Sequence, residues 1–234
     1  MAPPDQQLSA IVQLPVGAAD SAAAGLDPLA GRAPLLRVVD ALISRVGPRI
    51  VVVTGEPIAD AVVSLLTEHD MASVRVVPVV EPATPMRFLA AGLDGVLRAH
   101  PSSRWILVHD LRQPLMSPLV RDRVLTRLQE GDDEVVLPAL PVTDSVKAVD
   151  DRGSVAATLN RSALRAVQYP RGFTVAHLAE VLHRSPTGLG KELDAAALGR
   201  GRVTIVDGDS EAFIAEMPRD APFLEAIIAN RRPF

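Results

Sequence analysis

The feature that most constrains this chain is a rhythm of short apolar runs set between longer stretches of helical periodicity. Leu8 to Leu14, Arg49 to Val53, Val74 to Val77, Trp105 to Val108 and Glu134 to Leu137 each read as a short strand. Between them, Leu35, Val39, Leu42 and Val46 recur at helical spacing after Pro34, and Gly47-Pro48 ends the run. Ile58, Val62, Leu65 and Leu66 mark a second helix. Residues 86–99 predict a third, weakened by Gly92 and Gly95. A fourth starts at Ser117 as N-cap with Pro118 at its first position, and Gly131 stops it. Apolar strands alternating with helices predict a parallel sheet covered on both faces. Ligands of such sheets sit beyond the carboxyl ends of the strands. The loop 15–33 after the first strand and His109-Asp110 after the fourth are therefore the places to look for chemistry.

The rhythm changes after residue 140. Val142 to Val149 alternates, a turn of Asp150, Asp151, Arg152 and Gly153 follows, and Ser154 to Leu159 returns. This is a hairpin with few large apolar residues on either face, and a two-stranded ribbon alone is marginal in water. It needs support, and a partner subunit is a natural source. Helical stretches follow near 174–184 and 187–199, then a strand at Val203 to Val206 and a terminal helix over 218–230. The whole 234 residues suit a single domain with a substantial core.

Composition removes several classes of function. Cysteine is absent, which excludes disulfides, a thiolate nucleophile and a cysteine zinc site. No apolar run reaches the roughly 18 residues of a membrane helix. The start of the chain lacks the basic segment of a signal peptide, so a cytoplasmic protein is expected. A net charge of −4 gives no support for nucleic-acid binding. Of 24 basic residues only Lys147 and Lys191 are lysines, so any step that needs a lysine has two candidates. There is no G-x-S-x-G or H-E-x-x-H motif, and the five histidines are scattered.

Three stretches carry a resemblance. Val108-His-Asp-Leu-Arg-Gln-Pro-Leu115 is similar to V-H-D-A-A-R-P-L, and Leu137-Pro-Ala-Leu-Pro-Val-Thr-Asp-Ser-Val-Lys147 to P-A-L-P-V-x-D-T-x-K. Asn160-Arg-Ser-Ala-Leu-Arg-Ala-Val-Gln-Tyr-Pro-Arg-Gly-Phe173 is similar to D-R-x-x-L-x-x-x-Q-T-P-Q-x-F. In order and spacing the chain resembles the 2-C-methyl-D-erythritol 4-phosphate cytidylyltransferases. The resemblance implies an α/β fold: a mostly parallel, Rossmann-like nucleotidyltransferase sheet of about seven strands with helices on both faces. It also implies a protruding β-hairpin arm, residues 142–160, through which a homodimer forms. The implied reaction joins CTP and a sugar-alcohol phosphate with release of pyrophosphate, assisted by magnesium. In such transfers positioning and charge neutralisation dominate.

Residue by residue, the resemblance places Asp110 at the metal and nucleotide. It places Asp144, Ser145, Lys147 and Arg161 at the second substrate, with Lys147 and Arg161 among the catalytic cations. Ser145 keeps the hydroxyl of the family's threonine. An aspartate at a strand end is also an ordinary turn residue, and Lys147 on a ribbon is also an ordinary solvated side chain. The departures are concentrated in the nucleotide loop. The family's glycine-rich P-A-A-G-x-G-x-R segment and the lysine of P-K-Q-Y fall on residues 13–31. There Ala19 or Asp20 stands at the arginine position, and the charges are two aspartates and no cation. Gly17 and Arg32 are the remaining candidates for phosphate contact. The arginine of H-D-A-A-R-P falls on Gln113, with Arg112 one place early. The cytidine-contacting segment falls on Glu81 to Phe88, and a late lysine on Ile214. A polyanion would meet repulsion where the family offers attraction. Three readings stay open: a relative with weak or lost cytidylyl transfer, an active transferase using Arg32 and Arg87 on another substrate, and a non-catalytic dimeric interaction protein.

Overall fold

The computed structural model describes residues 7–14, 23, 25–184 and 201–231. The expected helix over 187–199 and the candidate Gly17 lie outside these residues. Among the described residues there are ten strands. β1 (Leu8–Gln13), β2 (Ile50–Gly55), β3 (Arg75–Val79), β4 (Trp105–Asp110), β5 (Val135–Pro141) and β10 (Val203–Asp207) carry the main sheet with two short returns, β8 (Arg165–Val167) and β9 (Arg171–Thr174). β6 (Val146–Val149) and β7 (Val155–Leu159) form a separate two-stranded sheet. The main sheet has the order β10-β5-β9-β4-β1-β2-β3, with β8 also paired to β5. All its pairs are parallel except those made by β8 and β9.

Strand alternation sorts the core into two layers. Ala10, Val12, Ile50, Val52, Leu107 and Val136 point to one face. There they meet α1 (Pro34–Val46), α2 (Ala59–Glu68) and α4 (Pro118–Glu130). Ile11, Val51, Val53, Ile106, Val108 and Phe173 point to the other, under α3 (Pro85–Ala99) and α5 (Val175–Arg184). A last helix, α6 (Ala221–Asn230), joins a small third cluster in which Leu224 meets Leu29, Leu115 and Ala215. Among the described residues no helix is long and apolar enough to cross a membrane.

Three expectations change in detail, and two further strands appear that the apolar pattern does not announce. The third strand runs through Pro78 to Val79, because β3 is the sheet edge, where a missing N–H costs little. Gly92 and Gly95 do not weaken α3. A Cβ at residue 92 would lie 2.7 Å from Ile11 Cγ2 and 2.8 Å from Val53 Cγ2, so the glycine is what lets the helix sit this close to the sheet. Ser117 occupies the N-cap of α4, but its side chain makes no capping hydrogen bond. β8 and β9 carry no apolar run of their own; they form by pairing antiparallel to strands already in place.

Candidate functional site

β1 and β4 are neighbours in register, so Gln13 and Asp110 end side by side at the carboxyl edge of the sheet. Backbone bonds hold this edge together: Leu111 N–H donates to the Gln13 carbonyl at 2.9 Å, and Leu14 N–H to the Val53 carbonyl at 3.0 Å. The Gln13 amide donates to the Pro85 carbonyl at 3.2 Å, which brings the first turn of α3 to the same rim. Sequence and topology thus agree on the place.

Asp110 is buried and already engaged. Its Oδ1 accepts the Arg112 backbone N–H at 2.9 Å, a turn closed two residues on. The Arg112 guanidinium grips the same carboxylate in a fork, Nε at 3.0 Å from each oxygen and Nη2 at 2.6 Å from Oδ2. The charge-assisted bonds hold Arg112 above its ordinary pKa. Magnesium, which the resemblance implies beside Asp110, does not fit this side chain as it stands. Both oxygens are taken by a cation of the chain itself. Among the described residues no three His, Cys, Asp or Glu side chains gather to supply an alternative.

Next to it, Gln113 is buried and neutral. Its Oε1 accepts the Tyr169 N–H at 2.7 Å, and its amide nitrogen reaches the Ala212 carbonyl at 3.4 Å. Gln168 repeats the device: its amide nitrogen donates to the carbonyls of Asp209, at 2.7 Å, and Ala212, while its oxygen accepts the Asp209 N–H at 2.9 Å. The two glutamines fasten residues 209–212 across the sheet edge. Ala215 N–H completes the attachment on the Arg112 carbonyl at 2.7 Å. His109, behind Asp110, is fully buried. A ring N–H at Nε2 donates to the Gln113 carbonyl at 2.8 Å, and the ring meets Tyr169 edge-on with centroids 5.9 Å apart. Burial pushes its pKa down to about 4, so it is neutral at physiological pH and packs inside the sheet. Arg171 stacks over the Tyr169 ring, 4.2 Å from its centroid.

The other candidates are spread out. Arg32 follows a tight turn at Ala30-Gly31 and forms an ion pair with Asp40 of α1. Arg87 is exposed on the first turn of α3. Arg161 donates to the Thr143 carbonyl, which brings it to the segment holding Asp144 and Ser145; both of those are exposed. Lys147 donates to Thr158 Oγ1 across the hairpin at 2.7 Å. The structure therefore joins Arg161 to the 143–145 segment and leaves Lys147 on the ribbon. The roles of Gln113 and Gln168 as clamps were not foreseen from sequence. The fork could have been: an arginine two places after a strand-end aspartate is within easy reach of it.

Three comparisons bear on this site. The family model described as 2-C-methyl-D-erythritol 4-phosphate cytidylyltransferase matches residues 22–230. The protein of that name from Nocardia farcinica is 35% identical over 208 residues, covering 86% of this chain and 84% of its own length. That from Saccharopolyspora erythraea is 34% identical over 210 residues, covering 87% and 90%. Among solved structures, 4-diphosphocytidyl-2C-methyl-D-erythritol synthase from Anaerococcus prevotii superposes with a TM-score of 0.77 at 20% identity, over 97% of this chain and 100% of its own, which is a likeness of fold. The 2-C-methyl-D-erythritol 4-phosphate cytidylyltransferase of Thermus thermophilus gives 0.67 at 26% identity, over 93% and 98%.

Proposed function

The chain belongs to the 2-C-methyl-D-erythritol 4-phosphate cytidylyltransferase family, and from that premise we propose that it keeps the nucleotidyltransferase scaffold while transferring cytidylyl groups weakly or not at all. Gln113 carries this reading. Where the motif has an arginine, this chain has a buried neutral amide whose two ends are occupied in holding Tyr169 and Ala212. A transition state that accumulates negative charge is stabilised by fixed cations, and a neutral clamp supplies none. Two of the nearby cations are already engaged. Arg32 is neutralised by Asp40, and Asp110 is paired with Arg112.

Were an acceptor phosphate to bind, Arg161 with Ser145 and Asp144 is the cluster to receive it, with Lys147 reaching it from the ribbon. The ribbon also supports the homodimer: Val149, Val155 and Leu159 are exposed apolar side chains on a two-stranded sheet separate from the main one. The test of function is pyrophosphate release from CTP and 2-C-methyl-D-erythritol 4-phosphate with magnesium. Little or no release is the expected result. Turnover at the rate of the Nocardia farcinica relative, measured side by side, would overturn the reading.

A further inference from the structure

Arg112 lies one place before position 113, where the family motif sets its arginine and this chain has Gln113. It folds back on Asp110. Three nitrogens of residue 112, the backbone N–H, Nε and Nη2, converge on one carboxylate at 2.6 to 3.0 Å. The carboxylate is buried, with 11% of its side chain exposed, whereas half of the Arg112 side chain is open to solvent. The backbone on either side is fixed too. The Leu111 N–H is held by Gln13, the Arg112 carbonyl by Ala215, and the Gln113 N–H donates to the Asp110 carbonyl at 2.9 Å. The short link between the two side chains therefore has little freedom, and the fork is prebuilt.

From this geometry we propose that Arg112 is a built-in counter-ion that takes the place of a divalent cation at Asp110 and keeps the site from binding one. Two facts support the substitution. A hard divalent cation needs anionic oxygen lone pairs, and both oxygens of this carboxylate face the guanidinium. A cation entering beside Arg112 would also meet a like charge at close range, and among the described residues no cluster of three His, Cys, Asp or Glu side chains is present to offset it. The pair is neutral as a whole, so it neither recruits a metal nor strongly attracts a polyphosphate. The block lies in one side chain and is removable. Arg112→Gln leaves Asp110 in its buried turn, still capped by the residue 112 N–H, but with a free negative charge. This proposal rests on the reading that the carboxyl edge of β1 and β4 is the ancestral nucleotide site.

The probe is manganese ion alone, read as paramagnetic broadening of the backbone amide signals of Leu111 and Gln113 in the full chain. The unaltered protein is expected to show no selective broadening there. Arg112→Gln is expected to broaden those amides roughly tenfold more at the same manganese concentration, through the freed carboxylate. Asp110→Asn in the Arg112→Gln background is expected to abolish the gain. Arg112→Lys, which keeps a positive charge without the planar fork, tests whether charge alone suffices; broadening below that of Arg112→Gln is expected. Selective broadening in the unaltered chain, removed by Asp110→Asn, would overturn the proposal while leaving the loss of transfer untouched. So would an Arg112→Gln protein with native amide dispersion and no gain. Pyrophosphate release by the unaltered chain that persists in EDTA would instead overturn the loss of transfer and support a site that works without a metal.

Discussion

At the scale of single residues, the buried polar groups along the strand ends decide both stability and chemistry. Gln113→Ala would leave the Tyr169 N–H buried without an acceptor, and a loss of about 1–3 kcal/mol in urea unfolding is expected. His109 gives a pH dependence of definite sign. Its folded pKa, about 4, lies below the ordinary value of 6.5, so between these limits the unfolded chain binds the extra proton. Its contribution is complete above pH 6.5 and is lost as the pH falls toward 4, by on the order of 3 kcal/mol over that window. His109→Asn, which carries no proton to titrate, is expected to flatten this part of the urea-midpoint profile. The residue type at each position was plain from sequence. What was not plain was the pairing. Asp110 could be a metal ligand or a turn residue, and only the direction of the Arg112 side chain separates the two. Arg161 could have paired with Asp144, yet it reaches the Thr143 carbonyl instead, a choice set by backbone placement that no spacing rule records.

At the scale of elements, periodicity was a good guide wherever an element buries an apolar face. β1, β2, β4 and α1 fall where their runs of Val, Ile and Leu place them, because each carries enough apolar surface to fix its own register. β8 and β9 escape that logic. Arg165–Val167 and Arg171–Thr174 are short, polar at one end and interrupted by Pro170, so their order comes from β4 and β5 on either side. Gly92 shows how tertiary packing reverses a local preference. In an exposed helix, Gly92→Ala would add stability of about 0.8–1 kcal/mol. Here the added methyl meets Ile11 and Val53 in the wall of the sheet. A net loss of about 1–3 kcal/mol is expected in chemical denaturation, because overpacking a dense layer outweighs helix propensity. Ser117→Ala provides the contrast. With no cap bond to lose, it is expected to change stability by under about 0.5 kcal/mol.

On the scale of the whole molecule, the ribbon and the last helix stand apart from the two packed layers and link them to what lies outside. If the ribbon forms the dimer, replacing Val149 and Val155 together by Asp should give a monomer by light scattering while leaving the circular dichroism of the main sheet unchanged; a dimer that survives would place the interface elsewhere. The last helix has a different role. Leu224 packs between Leu29 and Leu115, and Glu225 accepts the Ala30 N–H at 3.2 Å. These contacts tie the loop after β1 to the loop after β4, on the carboxyl side of the sheet. The two loops are thus braced by a helix remote from both in sequence, so a change that loosens α6 would slacken the outline of the sheet's carboxyl edge while the layered interior stays packed.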